Sequence, residues 1–367
     1  MSLHDPIPPG CEPACHGCRH RDRSREASLA QKQGYLARTL APWGPQLEPV
    51  ACDVGRGSLG YRDRVTLTAR WDEQSGWRFG LMRRDELIAI HDCPVHTPRV
   101  NALVQHLVAT LPEPGALPLA YLHVAGAQAT LVVKTRSVAT GVLEAVITGL
   151  DAIGIEGLWL HCHPSAGRRL FARSGWALVW GHPRSIDPEG CCHGPTAFQQ
   201  LLPRLHAEAM TRAERHLEPG PGRAILDLYC GIGATLRRWS GAGAAALGVE
   251  LAGGAVECAR LNAPAAEVLR GTCGERLPQM RAWWAGQHGV RTAYVNPPRS
   301  GLEPEVCAAL AQELRPARLA YLSCSAGTLA RDLLILEEGG LAVTVLCPFD
   351  FFPLTHHVEV LALLERR

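Results

Sequence analysis

A glycine-rich turn in the second half of the chain has residue types and spacing that could bind a nucleotide. It runs Asp227-Leu228-Tyr229-Cys230-Gly231-Ile232-Gly233 and follows an apolar stretch. Its glycines allow a sharp turn and a close approach of backbone to ligand. The next apolar stretch ends at Glu250, where a carboxylate can accept hydrogen bonds from ribose hydroxyls. Dinucleotides and S-adenosylmethionine both present such a ribose, so the turn by itself leaves both cofactors open.

Three further polar segments follow apolar stretches, and they bring together a thiol, carboxylates and a guanidinium. They are Asn296–Leu302, Tyr321–Asp332 and Phe352–Glu359. Ligands of open α/β sheets bind outside the carboxyl ends of the strands, so we expect these segments and the glycine turn to meet at one edge. A lone cysteine after a strand is more often a small buried hydrophobe. The joint occurrence of the segments is what indicates a reaction site.

Together these four segments closely resemble the RNA 5-methyluridine methyltransferase family. The resemblance covers the C-terminal half in the family's order and extends upstream to Tyr61–Arg64, Phe79-Gly80, Ile90–Cys93 and Phe198-Gln199. It implies a doubly wound α/β methyltransferase domain, preceded by an α+β, β-rich substrate domain. It also implies S-adenosylmethionine as cofactor and ribosomal or transfer RNA as partner.

The resemblance also implies roles for individual residues. In such a reaction a thiolate adds to carbon 6 of uracil, carbon 5 takes the methyl group, and a base removes the carbon-5 proton. Cys324 matches the family's nucleophile and Glu359 its base, and Arg299, His357 and Arg62 are supporting candidates. The candidate cofactor contacts are Gln199, Asp227, Tyr229, Gly231, Gly233, Glu250 and Asn296.

Two departures from the family pattern keep alternatives open. Asn296 stands where the family usually has Asp, and after the third strand only a shifted Glu275 is available. Asn-Pro-Pro is also typical of enzymes that methylate exocyclic amines, but Arg299 replaces their stacking aromatic residue, and Cys324 and Glu359 would then have no role. A second alternative is a catalytically impaired protein that binds S-adenosylmethionine and RNA.

Cys11, Cys15 and Cys18 form a C-x3-C-x2-C cluster, and Cys93 follows the β-rich region. Fourteen cysteines in a chain of 367 residues do not indicate a disulfide scaffold, which suits short secreted chains. Four thiolates suit an iron–sulfur cluster or zinc. Some members of the family bind a 4Fe–4S cluster through such cysteines, so the resemblance favours iron and keeps zinc as the alternative.

The elements that must position these residues change character along the chain. Alternating apolar and polar residues from 53 to 90 predict antiparallel strands, and the spacing of 101–111 predicts a helix. A second helix is predicted at 198–217, after a loop rich in glycine and proline. From residue 224 onward, apolar stretches alternate with helical ones, as in a parallel sheet with crossover helices. We predict a cysteine-rich segment at 1–30, a central α+β RNA-recognition domain at 31–195 and the methyltransferase domain at 196–367.

Composition places the chain among globular proteins, with 47% hydrophobic and 20% charged residues. No apolar stretch approaches the roughly 20 residues of a membrane span. The net charge of +2 is too small for a whole-molecule attraction to RNA, so any RNA contact must come from local patches. We expect a cytoplasmic protein, with no membrane partner, that acts as a monomer.

Overall fold

The computed structural model describes residues 7–53, 57–167 and 169–367, and these form two compact units. The β-rich unit contains 7–22 and 57–201, and the α/β unit contains 23–53 and 202–367. The helices of the described chain are α1 Arg25–Thr39, α2 Pro98–Thr110, α3 Glu144–Ile147, α4 Leu150–Ile153, α5 Pro203–Leu217, α6 Ala234–Gly241, α7 Gly253–Asn262, α8 Leu277–Ala285, α9 Pro304–Ala308 and α10 Ala326–Glu338. None of these helices is long and apolar enough to cross a membrane.

Sixteen strands run through the described residues. They are β1 Arg64–Asp72, β2 Gly76–Arg83, β3 Glu86–Ala89, β4 Leu119–Ala125, β5 Gln128–Val133, β6 Gly157–Cys162, β7 Trp176–Gly181, β8 Ser185–Ile186, β9 Cys192–His193, β10 Arg223–Leu228, β11 Ala245–Glu250, β12 Glu267–Arg270, β13 Val290–Val295, β14 Arg318–Ser323, β15 Leu341–Phe349 and β16 Glu359–Arg366.

The α/β unit is built on one seven-stranded sheet in the order β12-β11-β10-β13-β14-β16-β15. The first five strands are parallel, and β16 runs antiparallel to both of its neighbours. This confirms the predicted doubly wound fold. The helix predicted from residue 198 begins only at Pro203, because proline disfavours helical geometry in the residue before it.

Residues 23–53 also belong to the α/β unit, although the sequence placed most of them in the central domain. Helix α1 starts at the N-cap Ser24 and buries Leu36 in the core of this unit. After it, Leu47 and Ala51 form parallel bridges with Leu346 and Phe349 of β15. The segment therefore extends the edge of the sheet beyond β15.

The β-rich unit contains a second seven-stranded sheet, in the order β3-β2-β1-β4-β5-β6-β7. All neighbouring strands are antiparallel except β5 and β6, which are parallel. One face packs an apolar core that includes Leu67, Leu122, Leu131 and Leu160 together with residues of α2. The alternation seen in the sequence arises because only one face of this sheet carries that core.

Candidate active site

The glycine turn follows β10 and opens α6, as its sequence predicts. Gly231 and Gly233 have φ angles of +55° and +79°, a region that glycine adopts without strain. A β-carbon at Gly233 would lie 2.8 Å from the α-carbon of Ala259, whereas at Gly231 it would meet nothing within 4 Å. Gly233 therefore lets α6 approach α7, and Gly231 leaves space for a ligand. Tyr229 has a φ of +60° without being glycine, which marks a strained position in the same turn.

Glu250 and Asp227 are both acidic, but they lie in different environments. Glu250 ends β11, and its two carboxylate oxygens accept the backbone N–H groups of Gly231 (3.1 Å) and Ala252 (2.7 Å). Asp227 is fully buried and accepts a hydrogen bond from Trp239 Nε1 at 2.9 Å. Burial raises the pKa of Asp227 to about 7. Glu250 is therefore fixed beside the glycine turn, and Asp227 ties α6 to β10.

Glu303 joins three of the loops at this edge and was not among the predicted site residues. Its carboxylate accepts the backbone N–H groups of Cys273 at 3.1 Å and Gly274 at 2.8 Å, in the loop after β12. Tyr229 Oη lies 3.4 Å from the same carboxylate. The predicted Glu275 instead accepts the N–H of Thr272, within its own loop. The only sequence signal for Glu303 was its place directly after the Asn296–Leu302 segment.

Cys324 and Glu359 are brought together by the pairing of β14 with β16. The last pair in this register is Ser323 with Val360, so the next residue on each strand is one member of the candidate pair. Burial raises the pKa of the half-buried Cys324 thiol, the Glu359 charge raises it further, and the exposed Arg299 lowers it. Glu359 itself is buried. The thiol therefore lies within the electrostatic influence of both a carboxylate and a guanidinium.

Helix α10, which follows Cys324, holds the Asn-Pro-Pro-Arg loop in place. Thr328 Oγ1 donates to the carbonyl of Arg299 at 3.3 Å, and Arg331 donates to the carbonyl of Ser300 at 3.0 Å. The buried Asp332 accepts the N–H of Leu302 at 2.9 Å. At the start of this loop, the N–H of Asn296 donates to the carbonyl of Leu228 at 3.2 Å, beside the glycine turn. The structure thus brings Asn296 and Arg299 to the same edge as Cys324.

The loop that leads to Glu359 is anchored by a buried ion pair. Lys32 Nζ of α1 lies 2.5 Å from Asp350 Oδ1 and 3.3 Å from the carbonyl oxygen of Phe352. Both side chains are nearly inaccessible to solvent. Further along the loop, the N–H of His357 donates to Thr355 Oγ1 at 3.2 Å. Sequence reasoning missed Lys32 because it lies more than 300 positions before its partner.

Two of the predicted site residues, Gln199 and Arg62, belong to the β-rich unit. Gln199 Nε2 donates to Asp187 Oδ2 at 3.3 Å. The Arg62 guanidinium lies 5.8 Å from the centre of the Tyr61 ring. Their predicted contacts with cofactor and substrate stay predictions.

The four predicted cysteine ligands also lie in the β-rich unit and influence one another. Burial raises the pKa of Cys18 to about 11; the Arg62 charge opposes this, and Cys93, Cys15 and Cys11 add to it. The sulfur of Cys93 accepts backbone N–H groups from Val95 and His96, and that of Cys15 accepts the N–H of Gly17 at 3.4 Å. Across residues 7–53, 57–167 and 169–367, no group of three or more His, Cys, Asp or Glu side chains is arranged so that it could hold a metal ion.

The fold is that of a solved relative of known class. The crystal structure of the Pyrococcus abyssi tRNA (uracil-54, C5)-methyltransferase with S-adenosyl-L-homocysteine aligns with 96% of this chain and 86% of its own, with a TM-score of 0.71 and 20% identity. The likeness places the α/β unit in the class of doubly wound, Rossmann-like folds.

Sequence comparison narrows this class. Residues 279–367 match the family model described as tRNA (Uracil-5-)-methyltransferase. The 23S rRNA (uracil(1939)-C(5))-methyltransferase RlmD of Thiobacillus denitrificans is 30% identical over 96% of this chain and 83% of its own length. Its counterpart in Pseudomonas entomophila is 29% identical over 96% and 78%. This chain belongs to the RNA uracil-C5-methyltransferase family.

Proposed function

We propose that this enzyme forms 5-methyluridine in ribosomal or transfer RNA through a covalent bond between Cys324 Sγ and carbon 6 of the target uracil. The observation that carries the proposal is the convergence of Cys324, Glu359 and Arg299 beside the glycine turn. A thiol, a carboxylate and a cation are the groups that addition, proton removal and charge stabilisation require. The family comparison supports the reaction, and the geometry supports these residues as its agents.

Covalent activation is needed because carbon 5 of uracil is a poor nucleophile. Addition of the Cys324 thiolate to carbon 6 forms a C–S bond and moves the electron pair of the double bond into an enolate. Bound S-adenosylmethionine supplies the methyl group that carbon 5 acquires. Glu359 then takes the carbon-5 proton, the electron pair re-forms the double bond, and the C–S bond breaks to release the thiolate. The target base has to leave its stack to reach Cys324.

The residues predicted to bind the cofactor fall into two groups, those that can contact it and those that position other residues. Glu250 is already held by two backbone N–H groups, so its carboxylate is preorganised for a ribose, and Gly231 has open space in front of it. We assign Tyr229, Gly233 and Asn296 to the same pocket, and Gln199 stays a proposed cofactor contact of the β-rich unit. Asp227 acts by positioning, because its carboxylate is buried against Trp239. His357 is proposed to orient Glu359, and Arg62 to contact an RNA phosphate.

Methylation of unmodified RNA with labelled S-adenosylmethionine, followed by mass spectrometry of the nucleosides, tests the reaction. Label in 5-methyluridine supports it, and label in a methylated amine would show that the enzyme methylates exocyclic amines instead. Binding of cofactor and RNA without turnover would make Asn296 the leading cause, and Asn296→Asp should then restore activity. Fractionating the RNA before digestion would name the substrate.

The covalent step is tested with 5-fluorouracil RNA. Wild-type enzyme should form an adduct that survives denaturation, whereas Cys324→Ala should form none and keep its cofactor affinity within about tenfold. Cys162→Ala is the matched control, since Cys162 is a half-buried thiol of the β-rich unit. Glu359→Gln should accumulate the methylated adduct on ordinary RNA, because release requires loss of the carbon-5 proton. Clean turnover by Glu359→Gln would exclude it as the base.

We further propose that Cys11, Cys15, Cys18 and Cys93 hold a 4Fe–4S cluster. Four mutually interacting thiols, with backbone N–H donors on two of the sulfurs, fit this group, since such hydrogen bonds accompany Fe–S clusters. Anaerobically purified protein should contain iron and sulfide and absorb near roughly 400 nm. Cys93→Ser should lose the iron and Cys162→Ser should keep it. A colourless protein with stoichiometric zinc would establish the alternative metal.

A further inference from the structure

One stretch of the β-rich unit combines aromatic rings with arginines and contains no acid. From residue 157 to 186 the chain has four arginines, three tryptophans, three histidines and one phenylalanine, but no aspartate or glutamate. The whole chain has 35 acidic residues among 367, so their absence over this length leaves a local basic patch in a nearly neutral protein. Aromatic rings interleaved with cations are typical of surfaces that bind single-stranded nucleic acid.

Trp159 and His161 lie in β6, Trp176 lies in β7 and Phe171 lies in the loop between them, at one edge of the sheet. In the register, His161 pairs with Trp176 and Trp159 pairs with Leu178. Side chains alternate between the faces of a strand, so Trp159 and His161 point away from the apolar core that contains Leu160. The rings therefore lie on the face of the sheet that the core does not use.

The rings contact one another around Trp176. Trp176 is stacked on His161 with centroids 4.0 Å apart and 25° between the planes. The Phe171 ring lies 5.3 Å from that of Trp176, and Trp159 meets Trp176 edge-on at 6.2 Å. Phe171 and Trp176 are half-exposed, whereas His161 beneath them is buried. A buried ring thus supports two rings that remain in contact with solvent.

Hydrogen bonds fix the loop that carries Phe171. The N–H of Ala172 donates to His161 Nε2 at 3.0 Å, and Trp176 Nε1 donates to the carbonyl of Ala172 at 2.9 Å. His163 Nδ1 lies 3.1 Å from the carbonyl oxygen of Leu170. His161 of β6, His163 just after β6 and Trp176 of β7 therefore hold the loop backbone. A surface ordered in this way loses little conformational entropy when a ligand binds.

We propose that this aromatic–arginine patch, formed by Phe171, Trp176, Arg169 and Arg173, binds single-stranded RNA outside the target uridine. Nucleobases stack on Phe171 and Trp176, and the two exposed arginines contact the neighbouring phosphates. The proposal deepens the proposed function and rests on it, because it supplies an anchor for an RNA substrate. The positive charge and the absence of acids favour a polyanion over a protein partner.

The test measures binding of the full-length protein to a fluorescein-labelled, unstructured oligoadenylate, which contains no target uridine. Loss of one stacked base weakens binding roughly five- to 150-fold, which is the expected effect of Trp176→Ala. Phe171→Ala should act in the same direction, and Trp176→Phe should recover most of the affinity. Arg173→Ala should reduce the slope of log affinity against log salt by about 0.7.

Trp71→Ala is the matched control, since Trp71 is a 38%-exposed tryptophan on the same sheet and lies outside the patch. Affinity of Trp176→Ala equal to that of Trp71→Ala, with the fold intact by circular dichroism, would overturn the proposal. So would a change in oligomeric state at unaltered RNA affinity, which would assign the patch to a second copy of the chain. Failure of the wild-type enzyme to methylate uridine would reject the proposed function instead, because oligoadenylate binding does not depend on turnover.

Discussion

The buried Lys32–Asp350 pair gives the sharpest prediction about how the base-bearing loop is held. Burial lowers the pKa of Lys32 and raises that of Asp350, so desolvation is the largest influence on both groups. Removing one partner from such a pair costs about 3–5 kcal/mol, because the other charge stays buried without its counter-ion. Replacing both by apolar residues of similar size is often neutral. We therefore expect Lys32→Met to cost about 3–5 kcal/mol and Lys32→Met/Asp350→Leu to restore most of it.

Thermal unfolding followed by circular dichroism measures this effect. In a unit of this size 1 kcal/mol shifts the Tm by about 2–4 °C, so Lys32→Met should lower it by roughly 6–20 °C. Asp350 opens the loop that ends at Glu359, so kcat of the folded variant should also fall while its affinity for S-adenosylmethionine holds. Arg281→Met is the control, because the Arg281–Glu313 pair is exposed and should contribute less than about 1 kcal/mol. A double variant as unstable as Lys32→Met would refute the reasoning.

Three more predictions concern the electrostatics of the site. Glu359→Gln should lower the pKa of the Cys324 thiol and Arg299→Ala should raise it, since the carboxylate raises this pKa and the guanidinium lowers it. The pH dependence of the rate of alkylation by iodoacetamide measures the thiol pKa in each variant, and pKa shifts of the same sign would contradict the arrangement. Burial raises the pKa of Asp227 from 3.8 to about 7, so this group adds stability at low pH that is lost as pH rises from about 4 to about 7. In urea unfolding at several pH values, Asp227→Asn should therefore reduce the fall in the free energy of unfolding over this range by up to roughly 4 kcal/mol. Glu303→Gln should raise KM for S-adenosylmethionine about tenfold or less with little change in kcat, because it loosens the loop after β12; a loss confined to kcat would place Glu303 elsewhere in the reaction.

Local patterns in the sequence were sufficient for the frame of the α/β unit. Apolar stretches predicted strands β10, β11, β13, β14 and β15, because strands buried on both faces need continuous hydrophobic residues. The glycine turn could also be predicted, because the positive φ angles at Gly231 and Gly233 favour glycine at those positions themselves. The start of α5 was predicted too early, at residue 198, because the prediction did not use the restriction that Pro203 places on the residue before it.

Local patterns in the sequence could not predict pairings between distant parts of the chain. Residues 31–53 were predicted to belong to the central domain and 23–30 to the cysteine-rich segment, and only the folded chain shows α1 and the bridges of Leu47 and Ala51 in the α/β unit. Glu303 was overlooked for a similar reason, since its backbone partners Cys273 and Gly274 come from another loop. Neither the bridges of Leu47 and Ala51 nor the hydrogen bonds of Glu303 can be recognised from the periodicity or composition of the sequence.

The sequence by itself determined the class of fold, the cofactor turn and, through the family resemblance, the residues proposed for the chemistry. Residue type, spacing and apolar periodicity are properties of neighbouring positions, and they can be seen before the chain folds. The tertiary structure decided which charges act on the Cys324 thiol, that Asp227 is a buried anchor and that Lys32 holds the loop of Glu359. Those outcomes depend on burial and on distances between atoms far apart in the chain, because desolvation and Coulomb interactions act through space.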